Sequence, residues 1–344
     1  MKKILSVVLA VVMLFAVVAL AGCSNDKPDT AATLKFGMGV VASSSAKDAA
    51  GGSVTTTAVA VLLDADSKIV AIDLDSADIK TVWNEEGKAT ATEDVRTKYE
   101  LGADYGMGGN AYAPDLNGDG KVLEWNEQVD AFINTAKGKT LDEVKALMTE
   151  DGYTTGDLAV AGCTIGVSDF VKALEKAVNN AADSAATAKD TLNLAIVSST
   201  SSEDATEEKQ GSFEVDSTIV AAVVNAEGKV VVAATDCVVG TFAFDTAGVV
   251  VSGNAEEIVS KLQAGADYGM GGNQYAPDLN GDGKVLEWNE QAAAFNTALA
   301  GKTAAEIGAL VVDTGYGSAD LQTAGCTITV TDMVAAAVKA ATVA

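Results

Sequence analysis

Hydrophobic and polar positions along the chain form two sets of strands and helices in the same order. In the first set, Thr55–Leu63 and Lys68–Leu74 are rich in β-branched residues and flank a short polar turn, which predicts a β-hairpin. The second set repeats this pattern at Ser217–Val224 and Lys229–Ala234. The chain therefore contains two related units, each built around a hairpin.

The remaining pattern predicts helices packed on a small antiparallel sheet in each unit. Apolar positions spaced as on a helix fall in Trp125–Ala136, and Thr140 and Thr303 begin capping-box sequences. The other predicted elements of the first unit are a strand at Leu34–Val41, a loop at Ser43–Ser53, a helix at Thr92–Leu101, a strand at Val160–Val167 and a final helix capped by Ser168 that ends near Ala181. Thr331 is predicted to cap the equivalent helix of the second unit. The predicted class is α+β, with about four helices in each of two tandem homologous domains.

A nearly identical stretch shows that the two units are copies. Gly102–Gln128 and Gly265–Gln291 differ at one position, Ala111 against Gln274, and lie 163 residues apart. Chance does not produce such a match, so the chain is a tandem duplication. The predicted boundaries are repeat 1 at 34–181, a linker at 182–190 and repeat 2 at 191–344.

The first 22 residues have the form of a lipoprotein signal peptide. Lys2 and Lys3 precede an apolar run, Ile4–Leu20, and the sequence Leu-Ala-Gly then leads to Cys23. Cys23 is predicted to be the lipid-modified N-terminus, followed by a polar tether at 23–33. A lipid-anchored protein on the extracellular face of the cell membrane is therefore expected.

Composition limits the chemistry that the chain can perform. Removing Lys2 and Lys3 with the signal peptide leaves 21 basic against 48 acidic side chains, a net charge of −27. This charge disfavours nucleic acid as a partner. The sequence contains no histidine, which excludes Ser-His-Asp and Cys-His catalysis. The sequence has no CxxC pair. Small buried residues are therefore expected at Cys163, Cys237 and Cys326.

The nearly identical stretch contains a calcium-loop sequence in each repeat. Alternate oxygen-bearing side chains in DxNxDG point toward one centre, and its glycine permits the turn. The sequence does not decide which side chain is the last ligand of the loop, because the standard twelfth position is Asn126 and an acid follows one residue later. The candidate Ca²⁺ ligands are Asp115, Asn117, Asp119, Lys121, Glu124 and Glu127 in repeat 1 and Asp278, Asn280, Asp282, Lys284, Glu287 and Glu290 in repeat 2.

Several motifs together resemble a known family. ADYGM, EWNEQ, the GKT capping box and the TI-V-D segment before the last helix are similar to those of two-repeat lipoproteins of Gram-positive extracellular electron transfer. That family also yields short apolar pheromone peptides, and FAVVALAG before Cys23 resembles one. The resemblance implies FMN joined through its phosphate to threonine by a flavin transferase. It also implies electrons received from a membrane quinol-oxidising donor and passed to small-molecule or mineral acceptors. The DLNGDGK loop departs from the family pattern.

Two pairs of threonines are candidate sites for FMN attachment. Thr57 and Thr218 begin the first hairpin strand of each repeat, at a position that resembles the family's flavin-bearing threonine. Thr164 and Thr327 follow Ala-Gly-Cys in each repeat, in a frame that resembles the acceptor motif of other FMN-binding domains. Threonine is also an ordinary strand residue, so either pair could be purely structural.

Aromatic and glycine residues near the repeated stretch are further candidates for contact with a flavin. The candidates for stacking on the flavin ring are Tyr105, Tyr112 and Trp125 and their counterparts Tyr268, Tyr275 and Trp288. Core packing is the alternative, and it is favoured for Trp125. Gly106, Gly108 and Gly109 permit close backbone approach to a ligand, and a simple turn explains them equally well.

The sequence therefore predicts a lipid-anchored flavoprotein that relays electrons, with one covalent FMN in each repeat. It would act as a carrier rather than as an enzyme that turns over a substrate. The alternative is a calcium-stabilised surface lipoprotein with an adhesive or ligand-binding role and no flavin. A solute-binding lipoprotein is a weaker alternative, because its lobes are seldom near-identical copies.

Overall fold

The computed structural model describes residues 32–90, 92, 94–107, 123–270 and 286–342. All of them belong to one compact unit, Ala32–Ala344. The signal peptide and Cys23 lie outside the described residues. Within the described ranges, no helix is both long enough and apolar enough to span a membrane.

Each repeat contributes one antiparallel sheet built on a long three-stranded meander. The first sheet has the order β4-β3-β2-β1-β5, and the second has the order β6-β7-β8-β9. The strands are β1 Lys35–Lys47, β2 Gly51–Leu63, β3 Ile69–Trp83, β4 Ala89–Thr90, β5 Ala182–Asp183, β6 Thr191–Glu203, β7 Gly211–Val224, β8 Val230–Phe244 and β9 Val250–Ser252. The predicted hairpins are confirmed, and their strands are longer than predicted.

Short helices cover one face of each sheet. They are α1 Lys98–Leu101, α2 Trp125–Ala136, α3 Leu141–Lys145, α4 Gly156–Val160 and α5 Ser168–Asn179 in repeat 1, and α6 Lys261–Ala264, α7 Trp288–Leu299, α8 Ala304–Gly308, α9 Ala319–Thr323 and α10 Thr331–Ala341 in repeat 2. One 3-10 turn follows α1 at Gly102–Tyr105 and another follows α6 at Gly265–Tyr268. The α+β class and the bounds of the Trp125–Ala136 helix are confirmed, as are the capping boxes at Thr140 and Thr303.

Two predicted elements of the first sheet region are wrong. The loop predicted at Ser43–Ser53 is mostly strand, because β1 runs to Lys47 and pairs in register with β2 down to Gly51. Small polar residues are tolerated there because the backbone pairing continues without a break. The linker predicted at 182–190 begins with β5, which pairs with β1 and extends the first sheet.

Three predictions about helices and the last strand are also corrected. Among the described residues of Thr92–Leu101, only α1 is helical, and Thr97 caps it. The strand predicted at Val160–Val167 is instead the end of α4 and a turn at Gly162, whose φ of 104° does not suit a strand. Ser168 and Thr331 do not cap the last helices, since each is the first residue inside its helix and the preceding valine is the N-cap.

The two sheets pack face to face, so the repeats form the halves of one four-layer structure of helices, sheet, sheet and helices. Alternate residues of β2 show this arrangement. Ala58, Ala60 and Leu62 belong to the core between the sheets, whereas Val59 and Val61 belong to the core beneath the helices of repeat 1. The core between the sheets also contains residues of β6, β7 and β8. The expected pair of tandem domains therefore becomes two halves that share a central core.

Aromatic side chains join the two halves at one end of the central core. Trp83 of repeat 1 stacks on Phe244 of repeat 2, with ring centroids 4.6 Å apart and an interplanar angle of 7°. Its indole Nε1 donates to the carbonyl oxygen of Gly248 at 3.0 Å. Trp83 is fully buried, and its aromatic and hydrogen-bond partners all come from the other repeat.

Polar contacts between the halves are reciprocal. Lys176 on α5 donates to the Gln263 side chain on α6, and the equivalent Lys339 on α10 donates to Glu100 on α1. Each terminal helix thus contacts the short helix of the other repeat. These contacts relate the halves in the manner of a symmetric dimer.

Candidate functional site

A groove of about 400 Å³ opens in repeat 2 at the end of the sheet that the helical layer leaves uncovered. Its floor comes from β6, β7 and β8, and its walls come from the α6–α7 region and the first turn of α10. The residues that line it are Ser199, Glu214, Asp216, Thr218, Cys237, Val239, Lys261, Tyr268, Trp288, Thr329, Thr331, Asp332 and Met333. We refer to it as the repeat-2 groove.

The alternation of side chains along β7 determines which residues form the floor of the groove. Val220 and Val224 face the helices and are buried in the core of repeat 2. Thr218, Asp216 and Glu214 continue the same face beyond the helices and line the groove. A candidate flavin-bearing threonine therefore stands in a row with two carboxylates.

The wall is built around Lys261. Its Nζ lies 5.5 Å from the ring centroid of Tyr268 and 6.0 Å from that of Trp288, which is the geometry of a cation–π contact. It also lies 3.8 Å from Asp216 Oδ1. Burial lowers the pKa of Lys261, but the neighbouring Cys237, Tyr268 and Asp216 together raise it above its ordinary value. Lys261 therefore carries its positive charge into the groove.

A buried carboxylate holds the helix that carries Lys261. Asp236 Oδ1 accepts from the backbone N–H of Cys237 at 2.7 Å and from that of Leu262 at 2.9 Å. Its side chain also bonds Ser260, the N-cap of α6. Burial raises the pKa of Asp236 to about 6 despite these hydrogen bonds.

Repeat 1 has the same lysine and aromatic frame, by which we mean a lysine whose Nζ lies over a tyrosine ring and a tryptophan ring. Lys98 Nζ lies 5.3 Å from the Tyr105 ring centroid and 5.7 Å from that of Trp125. Asp75 accepts from Tyr99 N–H at 3.3 Å and bonds the cap residue Thr97, and burial raises its pKa to about 6. The frame is therefore a property of the repeat rather than of one copy.

The two candidate threonine pairs lie in different surroundings. Thr218 lines the repeat-2 groove with Lys261 and Tyr268, and Thr57 holds the equivalent position on β2, where its Oγ1 donates to Ser76 Oγ at 3.1 Å. The two threonines are only 3% and 5% exposed. Thr164 and Thr327 are half-buried, and each donates its backbone N–H and its hydroxyl to the Oε1 of a buried glutamine, Gln128 or Gln291. Thr327 is not among the residues that line the repeat-2 groove. Thr218 thus shares a groove with the lysine and the aromatic residues, and the second pair anchors a turn.

The aromatic candidates divide between core and site. Trp125 is 3% exposed and packs edge to face against Phe170 at 5.9 Å, so the core role favoured for it is confirmed. Trp288 is equally buried, but one side of it lines the repeat-2 groove together with Tyr268. Tyr112, Tyr275, Gly108 and Gly109 lie outside the described residues. Gly106 has φ of 72° and ends the 3-10 turn, which explains its conservation between the two copies.

Most of the predicted calcium loop lies outside the described residues. These are Asp115, Asn117, Asp119 and Lys121 of repeat 1 and Asp278, Asn280, Asp282 and Lys284 of repeat 2. No group of three or more acidic or cysteine side chains within the described ranges is placed to hold a metal ion.

The acids after the loop take part in helix capping. Glu127 Oε2 accepts from Glu124 N–H at 2.8 Å, and Glu124 Oε2 accepts from Met107 N–H at 2.9 Å. Glu287 and Glu290 repeat both contacts in the other copy. The residue at the twelfth loop position is different, since Asn126 Oδ1 and its counterpart Asn289 Oδ1 are buried without a hydrogen-bond partner among the described residues.

Calcium is expected to raise the thermal stability of the protein. A loop occupied at 100 times its Kd would add about 2.7 kcal/mol to the free energy of unfolding, because only the folded chain assembles the ligands. The measurement is the melting temperature in calcium and in chelator, with magnesium as the ion control. The matched variant carries Asp115→Asn and Asp278→Asn and should melt alike in both. Identical melting temperatures for the wild type would contradict the calcium prediction.

All three described cysteines are unpaired and buried, as predicted. Burial raises the pKa of the thiols of Cys163, Cys237 and Cys326 to about 12. They are therefore protonated at neutral pH and poor nucleophiles. This leaves the lysine and aromatic frame as the most distinctive chemical feature of the described residues.

Sequence reasoning missed the residues that organise this frame. Lys98 and Lys261 keep the 163-residue offset, and Asp75 and Asp236 keep the 161-residue offset of the hairpins. That recurrence was a usable signal. Comparison with known proteins adds no relative, because no family model, curated protein or solved structure matches the chain.

Proposed function

We propose that this protein is a lipid-anchored extracytoplasmic flavoprotein that carries covalent FMN and relays electrons. The observation that supports this most is the frame shared by both repeats. In each, a lysine lies over a tyrosine and a tryptophan, and in repeat 2 Thr218 lines the same groove. Thr218 and these aromatic residues are among those that the sequence nominated separately for attachment and stacking.

The residues of the frame suit a flavin phosphate ester. A groove of about 400 Å³ falls within the range of small-molecule sites. Tyrosine offers a ring face for stacking, and lysine offers a positive charge to a phosphate. The flavin would supply the electron-transfer chemistry, while the chain holds and orients it and limits its contact with water.

Burial of the threonines places a requirement on attachment. Thr57 and Thr218 are 3% and 5% exposed, so a transferase reaches their hydroxyls only when the wall of the frame moves aside. That wall begins with a four-residue helix in each repeat, α1 or α6. Such short helices have little intrinsic stability and are suited to opening.

The rest of the proposal concerns partners and follows from the sequence. The lipid anchor at Cys23 would hold the protein at the membrane, beside a quinol-oxidising donor. Its strong negative charge would favour cationic or mineral acceptors over anionic ones. A flavin transferase would install the cofactor.

The proposal predicts yellow protein with a chromophore that survives denaturation. The full chain is expressed in a host that has the transferase, and its flavin absorbance is measured after denaturation and gel filtration. The variant with Thr57→Val and Thr218→Val should lose the bound absorbance, since valine keeps the strand shape but removes the hydroxyl. The control, with Thr164→Val and Thr327→Val, should keep it. Colourless wild-type protein would overturn the proposed function.

A second function is favoured by one observation, the carboxylates on the floor of the repeat-2 groove. Glu214 and Asp216 would suit a ligand other than a phosphate, which agrees with a calcium-stabilised binding lipoprotein without flavin. Colourless protein purified from the native host would favour this alternative.

A further inference from the structure

The contact between α6, β8 and the other repeat is built around a buried carboxylate, Asp236 of β8. Its Oδ1 accepts from the N–H of Leu262, in the first turn of α6, at 2.9 Å, and its side chain also bonds the cap residue Ser260. Lys176, on α5 of repeat 1, lies close enough for its charge to favour the ionised form. The first turn of α6 is therefore docked on the sheet through an ionisable group.

The groups around Asp236 compensate its ionised form only weakly. Lys176 Nζ donates to a backbone carbonyl of β1 at 3.0 Å and pairs with Glu257 at 3.1 Å, so other acceptors share its charge. Lys261 on α6 pairs instead with Asp216 in the groove. A negative charge on Asp236 is therefore buried with little compensation, which is costly. Groups that can carry charge on the elements around Asp236 include Lys176 on α5, Glu257 before α6, Lys261 on α6 and Cys237 on β8.

The α6 segment is part of the wall of the repeat-2 groove. Lys261 on α6 and Tyr268, in the 3-10 turn that follows, both line the groove. Thr218 and Cys237 line the same groove from the sheet and are buried. Movement of α6 away from the sheet would uncover both of them. Because α6 has only four residues, it depends on its docking contacts rather than on intrinsic helix stability.

The equivalent helix of repeat 1 has a hydrogen bond that α6 lacks. Tyr99 on α1 donates its hydroxyl to Asp130 Oδ1 on α2 at 3.0 Å. The 163-residue offset places Leu262 at the position of Tyr99 and Ala293 at that of Asp130. Neither of these apolar side chains can form the bond. Docking of α6 therefore depends more strongly on Asp236 than docking of α1 depends on its own buried aspartate.

We propose that α6 is a pH-sensitive lid on the repeat-2 groove, which stays docked while Asp236 is protonated and loosens when Asp236 ionises. Loosening would admit a ligand, or an enzyme that modifies Thr218. The inference goes beyond the proposed function, because the lid would control access to the groove for any occupant.

The direction of the effect follows from the burial of Asp236. Burial raises its pKa from 3.8 to about 6 in the docked state, and exposure after opening would return the pKa toward 3.8. The docked state is therefore fully stabilised below about pH 4 and loses that stabilisation as the pH rises through 6. Since each pKa unit is a tenfold change in an equilibrium constant, the open fraction should rise about 100-fold from pH 4 to pH 7.

The test is the rate at which Cys237 is labelled in the full chain, purified without added flavin. A pyridyl disulfide reacts with thiols in acid as well as at neutral pH, and a peptide map identifies the labelled cysteine. Each rate is divided by that of a reference thiol at the same pH. This relative rate should rise about 100-fold from pH 4 to pH 7. The charge on Asp236 would by itself disfavour the neighbouring thiolate, so a rise reports opening. An unchanged relative rate would overturn the lid.

Two other cysteines separate movement of α6 from unfolding of the whole protein. Cys163 and Cys326 are buried in the cores beneath the helices of the two repeats. If α6 opens alone, Cys237 should be labelled faster than either of them at every pH. Equal rates for the three cysteines would show that only unfolding exposes Cys237, and would overturn the proposal.

Variants assign the pH dependence to Asp236. In Asp236→Asn the relative rate at Cys237 should no longer rise with pH, whereas the matched change in repeat 1, Asp75→Asn, should keep the rise. Leu262→Tyr with Ala293→Asp gives α6 the hydrogen bond of α1 and should slow labelling about tenfold at neutral pH. Circular dichroism checks that each variant is folded.

Each of these variants can contradict the proposal on its own. A full rise in folded Asp236→Asn would overturn the role of that carboxylate. Unchanged labelling in Leu262→Tyr with Ala293→Asp would show that α6 does not control access, even if Asp236→Asn fails to fold. A chain that never carries flavin would overturn the proposed function and leave the lid standing.

Discussion

Replacing Trp83 with alanine is expected to destabilise the whole protein by about 3–5 kcal/mol, the range for removing a large buried aromatic side chain. The indole fills the end of the core between the sheets, stacks on Phe244 and donates to the Gly248 carbonyl. Its removal opens a cavity at the contact between the repeats and removes one of two donors to that carbonyl, which also accepts from Ala49 N–H at 2.8 Å. Chemical denaturation of wild type and variant measures the difference.

The same experiment tests whether the repeats unfold together. Because both halves bury residues in the central core, Trp83→Ala should lower a single transition rather than split off one repeat. Val82→Ala is the matched control, since Val82 is the next residue on β3 but is 49% exposed. It should change the stability by less than about 0.5 kcal/mol. Two separate transitions in the wild type would contradict the shared core.

Removing the charge of the buried aspartates is expected to change the pH dependence of stability. Asp236 has a folded pKa of about 6 against an ordinary 3.8, so the folded state binds its proton more tightly than the unfolded state. Its contribution to stability is complete below about pH 4 and is lost as the pH rises through 6. A shift of this size corresponds to about 3 kcal/mol. Asp75, whose pKa burial also raises to about 6, should contribute in the same direction.

The variant with Asp75→Asn and Asp236→Asn should lack this loss of stability. Asparagine keeps an oxygen that accepts from the first turn of α1 or α6 but carries no charge. Denaturation at pH 4 and at pH 8 should therefore show the variant gaining stability relative to wild type as the pH rises. Asp151→Asn changes an exposed residue and should follow the wild-type profile. A constant difference between the double variant and the wild type at both pH values would contradict the proton linkage.

The sequence was most informative where local patterns decide structure. Runs of β-branched residues around a polar turn identified the hairpins, and helical spacing and a capping box identified α2 and α3. It failed at Ser43–Ser53, where pairing with β2 sets the strand although the side chains are small and polar. It failed again at Val160–Val167, where β-branched residues lie at the end of a helix and in a turn at Gly162.

The site was harder to predict because it depends on contacts that are distant in sequence. Thr218 and the aromatic pair Tyr268 and Trp288 were nominated by separate arguments, and only the folded chain shows that they line one groove. Lys261 stayed unnoticed because a single lysine in a short helix has no distinctive pattern. The closeness of the two sheets was equally hidden, since a strand that is apolar on both faces does not reveal what covers the second face.

The central core also determines what a single repeat could be. Cut between β5 and β6, each half would expose the sheet face that carries Ala58, Ala60 and Leu62, or its counterpart on β7. A half-length chain would therefore need a second copy of itself to stay in solution. Covalent fusion supplies that second copy at a fixed ratio and a high effective concentration. It also frees the two copies to diverge, so repeat 2 can carry Glu214 and Asp216 where repeat 1 has Ser53 and Thr55, which a dimer of identical chains could not achieve.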